Sequence, residues 1–382
     1  MTDAPRYVID ARYVEPKPSG IGRYVEALVE RLPPLAPKAH FHLWTHPARP
    51  RPVSFENVSC SPVSAPSDGL RTLLVPSRLG ELRPRDVLHL PFSLLGRGLR
   101  CATVVTIHDL MWLEQPELVE GRPLMRRVRQ QYYRRGMRWA MRHATRIIAV
   151  SEATASRIRA VEPGSADRIR VTHNAASAAF SPATDLQEAA RAASAVLGTN
   201  APYYLVVGKS EPYKGHEVAV RAFARAAQGE ELLVLIQRAG SSSGLRRLAD
   251  QLGIAQRVRL LQAVTEGELV ALLRGARALL QPSVIEGFGI PALEAMACGC
   301  PVIGSDTPAL VEVMGGAGLN AAVGDDQAMA QALQRLRQAN LRDELRQRGL
   351  ARAATFSWER TAEATLGVYR EAAAVGGETG NG

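Results

Sequence analysis

Apolar, strand-like runs alternate with helical patterns along this chain, and the alternation starts twice. Tyr7-Val8-Ile9-Asp10 opens the first series. A helix follows in which Tyr24, Ala27, Leu28 and Leu32 recur at helical spacing. Further strand-like runs lie at 41–44, 87–90, 103–107, 147–150 and 169–172. The second series begins at 203–207 and continues at 232–236, 258–261, 277–280 and 301–303. Strands joined through helices pair in parallel, so each series predicts an open parallel sheet with helices on both faces. A chain of 382 residues is long enough for two such cores. The expected fold is α/β, with two Rossmann-like, doubly wound parallel-sheet domains facing a central cleft. Their predicted bounds are 1–180 and 201–355, joined by a linker at 181–200 that holds an alanine-rich helix. A last helix at 356–374 precedes a Gly-rich, flexible tail at 375–382. The proline-rich stretch 47–66 reads as a loop or irregular edge.

Four cysteines, Cys60, Cys101, Cys298 and Cys300, are too few for a disulfide framework. Cys298-Gly299-Cys300 has no second Cys/His pair nearby, so no metal site is expected and the thiols read as reduced and cytosolic. Asp3, Arg6, Asp10 and Arg12 in the first twelve residues do not fit a signal peptide. No run reaches the ~20 apolar residues of a membrane span. Net charge is +10 and unevenly placed: residues 122–146 hold nine arginines, Arg122 to Arg146, and no acid. This segment predicts a basic amphipathic helix. It suits an anionic membrane or polyanionic acceptor, or a solvated helix whose arginine stems cover the core. No nucleic-acid motif accompanies the charge, so nucleic acid is not an expected partner.

The segment 282–297 carries most of the chemistry. Glu286 and Glu294 lie eight residues apart around Gly287-Phe288-Gly289, with an apolar strand before and a helical pattern from Ile290 after. A strand, a glycine turn and a helix N-terminus make an anion site from backbone N–H groups. Two acids beside it suit a ligand that also carries hydroxyls, such as a sugar joined to a phosphate. Residues 208–215, with Gly208, Lys209 and Lys214, follow another strand and could neutralise a diphosphate. His108 ends the run 103–107 and could meet a sugar hydroxyl, or be a satisfied structural histidine. Gly20 and Gly22 open the first helix and permit close backbone approach, or serve as its small-residue start. Ser151 reads as an N-cap.

Together these residues resemble the retaining glycosyltransferases of family 4, with the GT-B fold. The resemblance runs through Ile9-Asp10-Ala11-Arg12, residues 19–24, Thr106-Ile107-His108-Asp109-Leu110, Val150-Ser151-Glu152, residues 208–215 and residues 282–303. It implies that Lys209 and Lys214 hold the donor diphosphate, Glu286 accepts from donor sugar hydroxyls and Glu294 from the ribose. Backbone N–H groups of Phe288, Gly289 and Ile290 would contact sugar and phosphate. His108 would lie near the reacting carbon, and Gly20 and Gly22 over phosphates and acceptor. The last helix would cross back to complete the first domain, which is the acceptor side.

The resemblance further implies that no metal or other cofactor is required, the nucleoside diphosphate sugar being a substrate. The Glu-Pro-x-Lys form of the lysine loop is similar to the branch of mannosyl- and related hexosyltransferases of bacterial surface polysaccharide. It points to GDP-mannose as donor and to a glycan or polyprenyl-linked oligosaccharide as acceptor. A cytoplasmic protein follows, with peripheral contact to the inner membrane through 122–146. The alternative is a non-catalytic sugar-nucleotide-binding subunit of a polysaccharide assembly complex. The chain departs from the family at Gln237 and Gln262, where glycine is common, and at Asn174-Ala175, where Asn-Gly is common.

Overall fold

The computed structural model describes residues 5–15, 19–67, 69, 72, 80–118, 123–237, 243–262 and 264–378. The chain divides into two compact units. The first comprises Met1–Pro116, Pro123–Asn174 and Ser357–Gly382; the second comprises Glu117–Arg122 and Ala175–Phe356.

Among the described residues, the first unit holds seven parallel strands: β1 (Arg6–Ala11), β2 (His40–Thr45), β3 (Val58–Pro62), β4 (Val87–Leu90), β5 (Ala102–Ile107), β6 (Arg146–Ala149) and β7 (Ile169–Val171). Their order is β3-β2-β1-β4-β5-β6-β7. The central strands are continuous buried runs because helices cover both faces: all six residues of β5 are buried. β3 was expected as loop. It is a short edge strand of small and polar residues that ends at Pro62, where the missing N–H breaks no further pairing.

The C-terminal helix Trp358–Glu378 belongs to this first unit. Tyr369 anchors it: the side chain is fully buried, its ring lies 5.1 Å from that of Tyr7, and its hydroxyl is 2.7 Å from His89 Nδ1. The helix extends into the predicted tail as far as Glu378, and the rest of that tail lies outside the described residues.

The second unit holds β8 (Tyr203–Gly208), β9 (Leu232–Gln237), β10 (Val258–Gln262), β11 (Ala278–Gln281), β12 (Val302–Ser305) and β13 (Leu319–Ala321). All are parallel, in the order β10-β9-β8-β11-β12-β13. Helix His216–Ala226 buries Ala219, Val220, Phe223 and Ala226, an i, i+4 stripe, into a core shared with Leu233, Leu235 and Leu280. Burying one such large side chain stabilises by about 1.5–3 kcal/mol. The alanine-rich helix expected within 181–200 is Leu186–Leu197; it belongs to the second unit, is capped by the Asp185 carboxylate and is ended by Gly198 in the left-handed region.

In both sheets the first strand of the unit lies inside, and strand order reverses beside it: between β1 and β4, and between β8 and β11. Loops leaving the carboxyl ends of strands part at such a point and leave a crevice for a ligand.

Candidate active site

The lysine and acid loops of the second unit leave β8 and β11, the two strands at its reversal. Two contacts join them. Val284 N–H donates to the Tyr213 carbonyl at 2.8 Å. Gly215 sits in the left-handed region at φ +64°, so close to the Pro282 backbone that a Cβ would run into its carbonyl oxygen. Only glycine meets both demands.

This brings Lys214 onto Glu286. Lys214 Nζ lies 2.7 Å from Glu286 Oε1, which also accepts from Ser283 Oγ at 2.7 Å and from Gln281 Nε2 at 3.0 Å. Burial works to raise the Glu286 pKa; the Lys214 charge and the three donors outweigh it, and the carboxyl is held below its usual range. Lys214 therefore rests on a carboxylate, while Lys209 is exposed.

Gly289, at φ +104°, caps helix Ile290–Ala297, with Pro291 in its first turn. A Cβ on Gly289 would meet the end of the Leu310 side chain. Phe288 is buried, its ring 5.6 Å from that of Phe356, and Glu294 is buried within the helix. Gln281 and His216 had drawn no notice in the sequence, and Ser283 only as part of the segment 282–297. Gln281 was legible only as the residue directly before the motif. His216 is buried behind Gly208, its pKa pushed down to about 4 by burial and by the Lys214 charge.

In the first unit, Ser19 caps helix Gly20–Leu35 and its Oγ accepts from Gly22 N–H at 3.1 Å. Gly22 N–H is thus engaged by the cap. A Cβ at Gly20 would meet nothing within 4 Å. His108, half-buried at the end of β5, has its Nε2 3.0 Å from the Pro91 carbonyl oxygen. A carbonyl only accepts, so Nε2 carries the proton and Nδ1 is the ring's acceptor. Burial lowers the His108 pKa to about 4, against the hydrogen bond to Pro91.

Tyr24 stands edge-on to the His108 ring at 5.0 Å and shares Thr106 with His89. At the end of β1, Asp10 and Arg12 form a buried ion pair at 2.5 Å; Arg12 also donates to the Ala65 carbonyl and to Thr72. Ser151 caps helix Glu152–Val161 through Thr154 N–H, as its position suggests.

Two family models match, one on each unit. "Glycosyl transferases group 1" matches 189–353 and "Glycosyltransferase Family 4" matches 18–179. The chain belongs to glycosyltransferase family 4. Curated relatives include the D-inositol 3-phosphate glycosyltransferases of Salinispora arenicola, 38% identical over 52% of this chain and 48% of the relative, and of Acidothermus cellulolyticus, 36% identical over 44% and 41%. The matched region is thus less than half of those relatives' length.

Among solved structures, WaaG, a glycosyltransferase involved in lipopolysaccharide biosynthesis, superposes with TM-score 0.71 at 17% identity over 94% of this chain and 99% of its own. Anabaena HepE with UDP and glucose gives 0.71 at 17% identity over 95% and 98%. Sucrose-phosphate synthase of Thermosynechococcus elongatus gives 0.71 at 22% over 97% and 100%. These likenesses show the fold, GT-B with two parallel-sheet α/β domains.

Among the described residues of this family member, no cluster of His, Cys, Asp and Glu could hold a metal ion, and no helix is long and apolar enough to cross a membrane.

Proposed function

We propose that the protein is a retaining hexosyltransferase that moves a hexose, mannose by the form of its lysine loop, from a nucleoside diphosphate sugar to a glycan or polyprenyl-linked acceptor. Bacterial surface polysaccharide is the product class, and GDP-mannose the first donor to test. One observation carries the reading: Lys214, Glu286, Ser283 and Gln281 form a charged, hydrogen-bonded cluster at the β8/β11 reversal, beside the glycine-capped start of helix Ile290–Ala297. Family membership supports it. So do the structural neighbours that bind UDP and UDP-glucose.

In this proposal the arriving diphosphate takes Lys214 from Glu286, which then accepts from the sugar hydroxyls. Lys209 adds a second cation, and Glu294 takes the ribose. Lys209, Lys214 and the amides of the glycine turn would stabilise the leaving diphosphate, so the reaction needs no resident metal. The departing oxygen would take the acceptor's proton on the face where attack occurs, giving retention. Neutral His108 would offer Nδ1 to a sugar hydroxyl.

A thermal-shift screen with GDP, UDP, dTDP and ADP and their sugars tests the donor reading, since a ligand bound only by the folded state raises its melting point. No shift with any of them would overturn it. Binding without slow donor hydrolysis would favour the non-catalytic subunit instead.

We also propose that the arginine helix rests on an anionic membrane at the cytoplasmic face. The helix spans Pro123–His143 rather than 122–146; Arg122 lies outside the described residues, and Arg146 belongs to β6 and pairs with Glu371. Tyr133, Met137, Ala140 and Met141 face the core, whereas Leu124, Met125 and Val128 are 73%, 57% and 57% exposed between Arg126, Arg127 and Arg129. Exposed apolar side chains set among cations match a lipid interface better than bulk solvent.

A further inference from the structure

Gln237 closes β9, the neighbour of β8, with Gly208 as its register partner. Its side chain is 3% exposed, yet neither its Oε1 nor its Nε2 has a hydrogen-bond partner. Each unpaired buried group of this kind costs about 1–3 kcal/mol, so an amide left wholly unsatisfied calls for a missing partner. Two more unsatisfied groups lie on the same edge of the sheet. His216, whose Nε2 is 3.4 Å from where a Gly208 Cβ would be, has an unpartnered Nδ1. Gln281, at the end of β11, donates Nε2 to Glu286 and leaves Oε1 unpartnered. Gln262, the other glutamine in place of a family glycine, closes the edge strand β10 and is exposed. The structure therefore separates the two substitutions.

We infer that Gln237 is a specificity-determining residue whose amide hydrogen-bonds the nucleoside half of the donor. The inference rests on the nucleotide-sugar reading above and deepens it. The chemistry of the amide selects the ligand group. Phosphate oxygens accept and do not donate, so a diphosphate would satisfy Nε2 and leave Oε1 unpaired. A group that both donates and accepts satisfies the two ends together. In a nucleoside diphosphate sugar that group is the edge of the base or a ribose hydroxyl. Glutamine reads adenine bidentately in this way in nucleic acids.

The position agrees with this choice: the cationic Lys209 and Lys214 stand in the loop after β8, and Gln237 lies one strand to the side, away from Glu286. A glycine at this position would leave the backbone open to any base. Glutamine places a polar group with a fixed pattern there.

Calorimetric titration of GDP, UDP, ADP, dTDP and inorganic pyrophosphate into the parent and into Gln237→Met tests the inference. Methionine keeps the length and loses the amide. The expected result is a loss of about 10- to 100-fold in affinity for the nucleotide that the parent prefers, with pyrophosphate affinity unchanged. The ligand-free melting temperature should rise, because two buried orphan groups are removed. A loss confined to one base assigns the amide to the base edge. A loss equal for all ribonucleotides and absent with deoxyribose analogues assigns it to the ribose; both results support the inference. Equal affinities in parent and variant overturn it while leaving the nucleotide-sugar reading intact. A parent that binds none of the nucleotides overturns both. Gln237→Leu serves as the second variant if methionine packs poorly; it must show the same split between nucleotide and pyrophosphate.

Discussion

Lys214 Nζ and Glu286 Oε1, 72 residues apart in sequence, form a 2.7 Å ion pair whose side chains are 18% and 10% exposed. The pair gives Lys214 two roles that can be measured separately: it neutralises a half-buried carboxylate, and in the proposed reaction it carries the leaving diphosphate. Lys214→Met should cost about 2–4 kcal/mol of stability, since it strands the Glu286 charge. Adding Glu286→Gln should recover most of that loss, because the amide needs no cation and Ser283 and Gln281 can still hold it. Turnover should not recover: Lys214→Met and the double variant should both fall at least about a hundredfold. Melting curves and a donor-turnover assay read the two effects. Near-normal turnover in Lys214→Met would remove Lys214 from the diphosphate.

Gly215 and Gly289 both occupy the left-handed region, but they meet different obstacles. An alanine Cβ at Gly215 meets the Pro282 carbonyl, which is backbone of the acid loop; at Gly289 it meets the end of the Leu310 side chain. A side chain can be shortened and a backbone cannot. Gly289→Ala should therefore be partly rescued by Leu310→Ala, leaving about 1–3 kcal/mol of dihedral strain. Gly215→Ala should have no such rescue, and should separate the lysine loop from Glu286 even if the unit stays folded. Denaturant titration of Gly215→Ala, Gly289→Ala, Leu310→Ala and the Gly289→Ala/Leu310→Ala pair, with nucleotide affinity alongside, checks the contrast.

The first unit should be acid-labile. His89 is fully buried between Tyr369 and Thr106, and burial, with the nearby His108, lowers its pKa to about 3. The folded pKa lies below the unfolded value near 6.5, so the unfolded chain takes up a proton first as pH falls. The stability is present above about pH 6.5 and is lost progressively toward pH 3. Between pH 6.5 and 5 the loss from His89 should be about 2 kcal/mol. His89→Asn should melt lower at pH 7.5 but show a shallower fall toward pH 5. An imidazole whose NMR signals titrate near pH 6.5 would contradict this account.

The strands β1, β5, β8 and β9 were legible to within a residue of their starts because buried parallel strands leave apolar runs. β3 was not, since Ser59, Cys60 and Ser61 on an edge strand carry no such run, and β13 has only three residues. Within the site, the glycine turn at 287–289 announced itself through residue type. The Lys214–Glu286 pair did not, because sequence shows two loops and not their pairing through Val284 and Gly215. Gln237 stood out as an unusual residue, but its unsatisfied amide exists only in the folded sheet, where it ends β9 beside Gly208 and is buried. The left-handed Gly198 at the end of helix Leu186–Leu197 was read as linker, although the same residue ends helices.

The arginine helix makes the last prediction. Leu124, Met125 and Val128 are exposed at its start, where none of residues 124–130 is buried. Arg142 at the other end pairs with Glu162, and Arg129 lies over the Trp112 ring. Charge and apolar contact can therefore be removed independently. The parent should sediment with vesicles containing phosphatidylglycerol and not with pure phosphatidylcholine. Leu124→Glu with Val128→Glu should abolish sedimentation even at low salt, because it removes insertion and adds repulsion. Arg126→Gln with Arg127→Gln should weaken it by about 1 kcal/mol per charge, roughly 20- to 30-fold in all, and reduce its salt dependence. Neither pair contributes to the Lys214–Glu286 cluster, so nucleotide affinity should stay at the parent value in both. Sedimentation that survives the glutamate pair would show that lipid does not read this helix, and salt-sensitive binding to DNA or RNA in its place would mark the patch as a nucleic-acid surface.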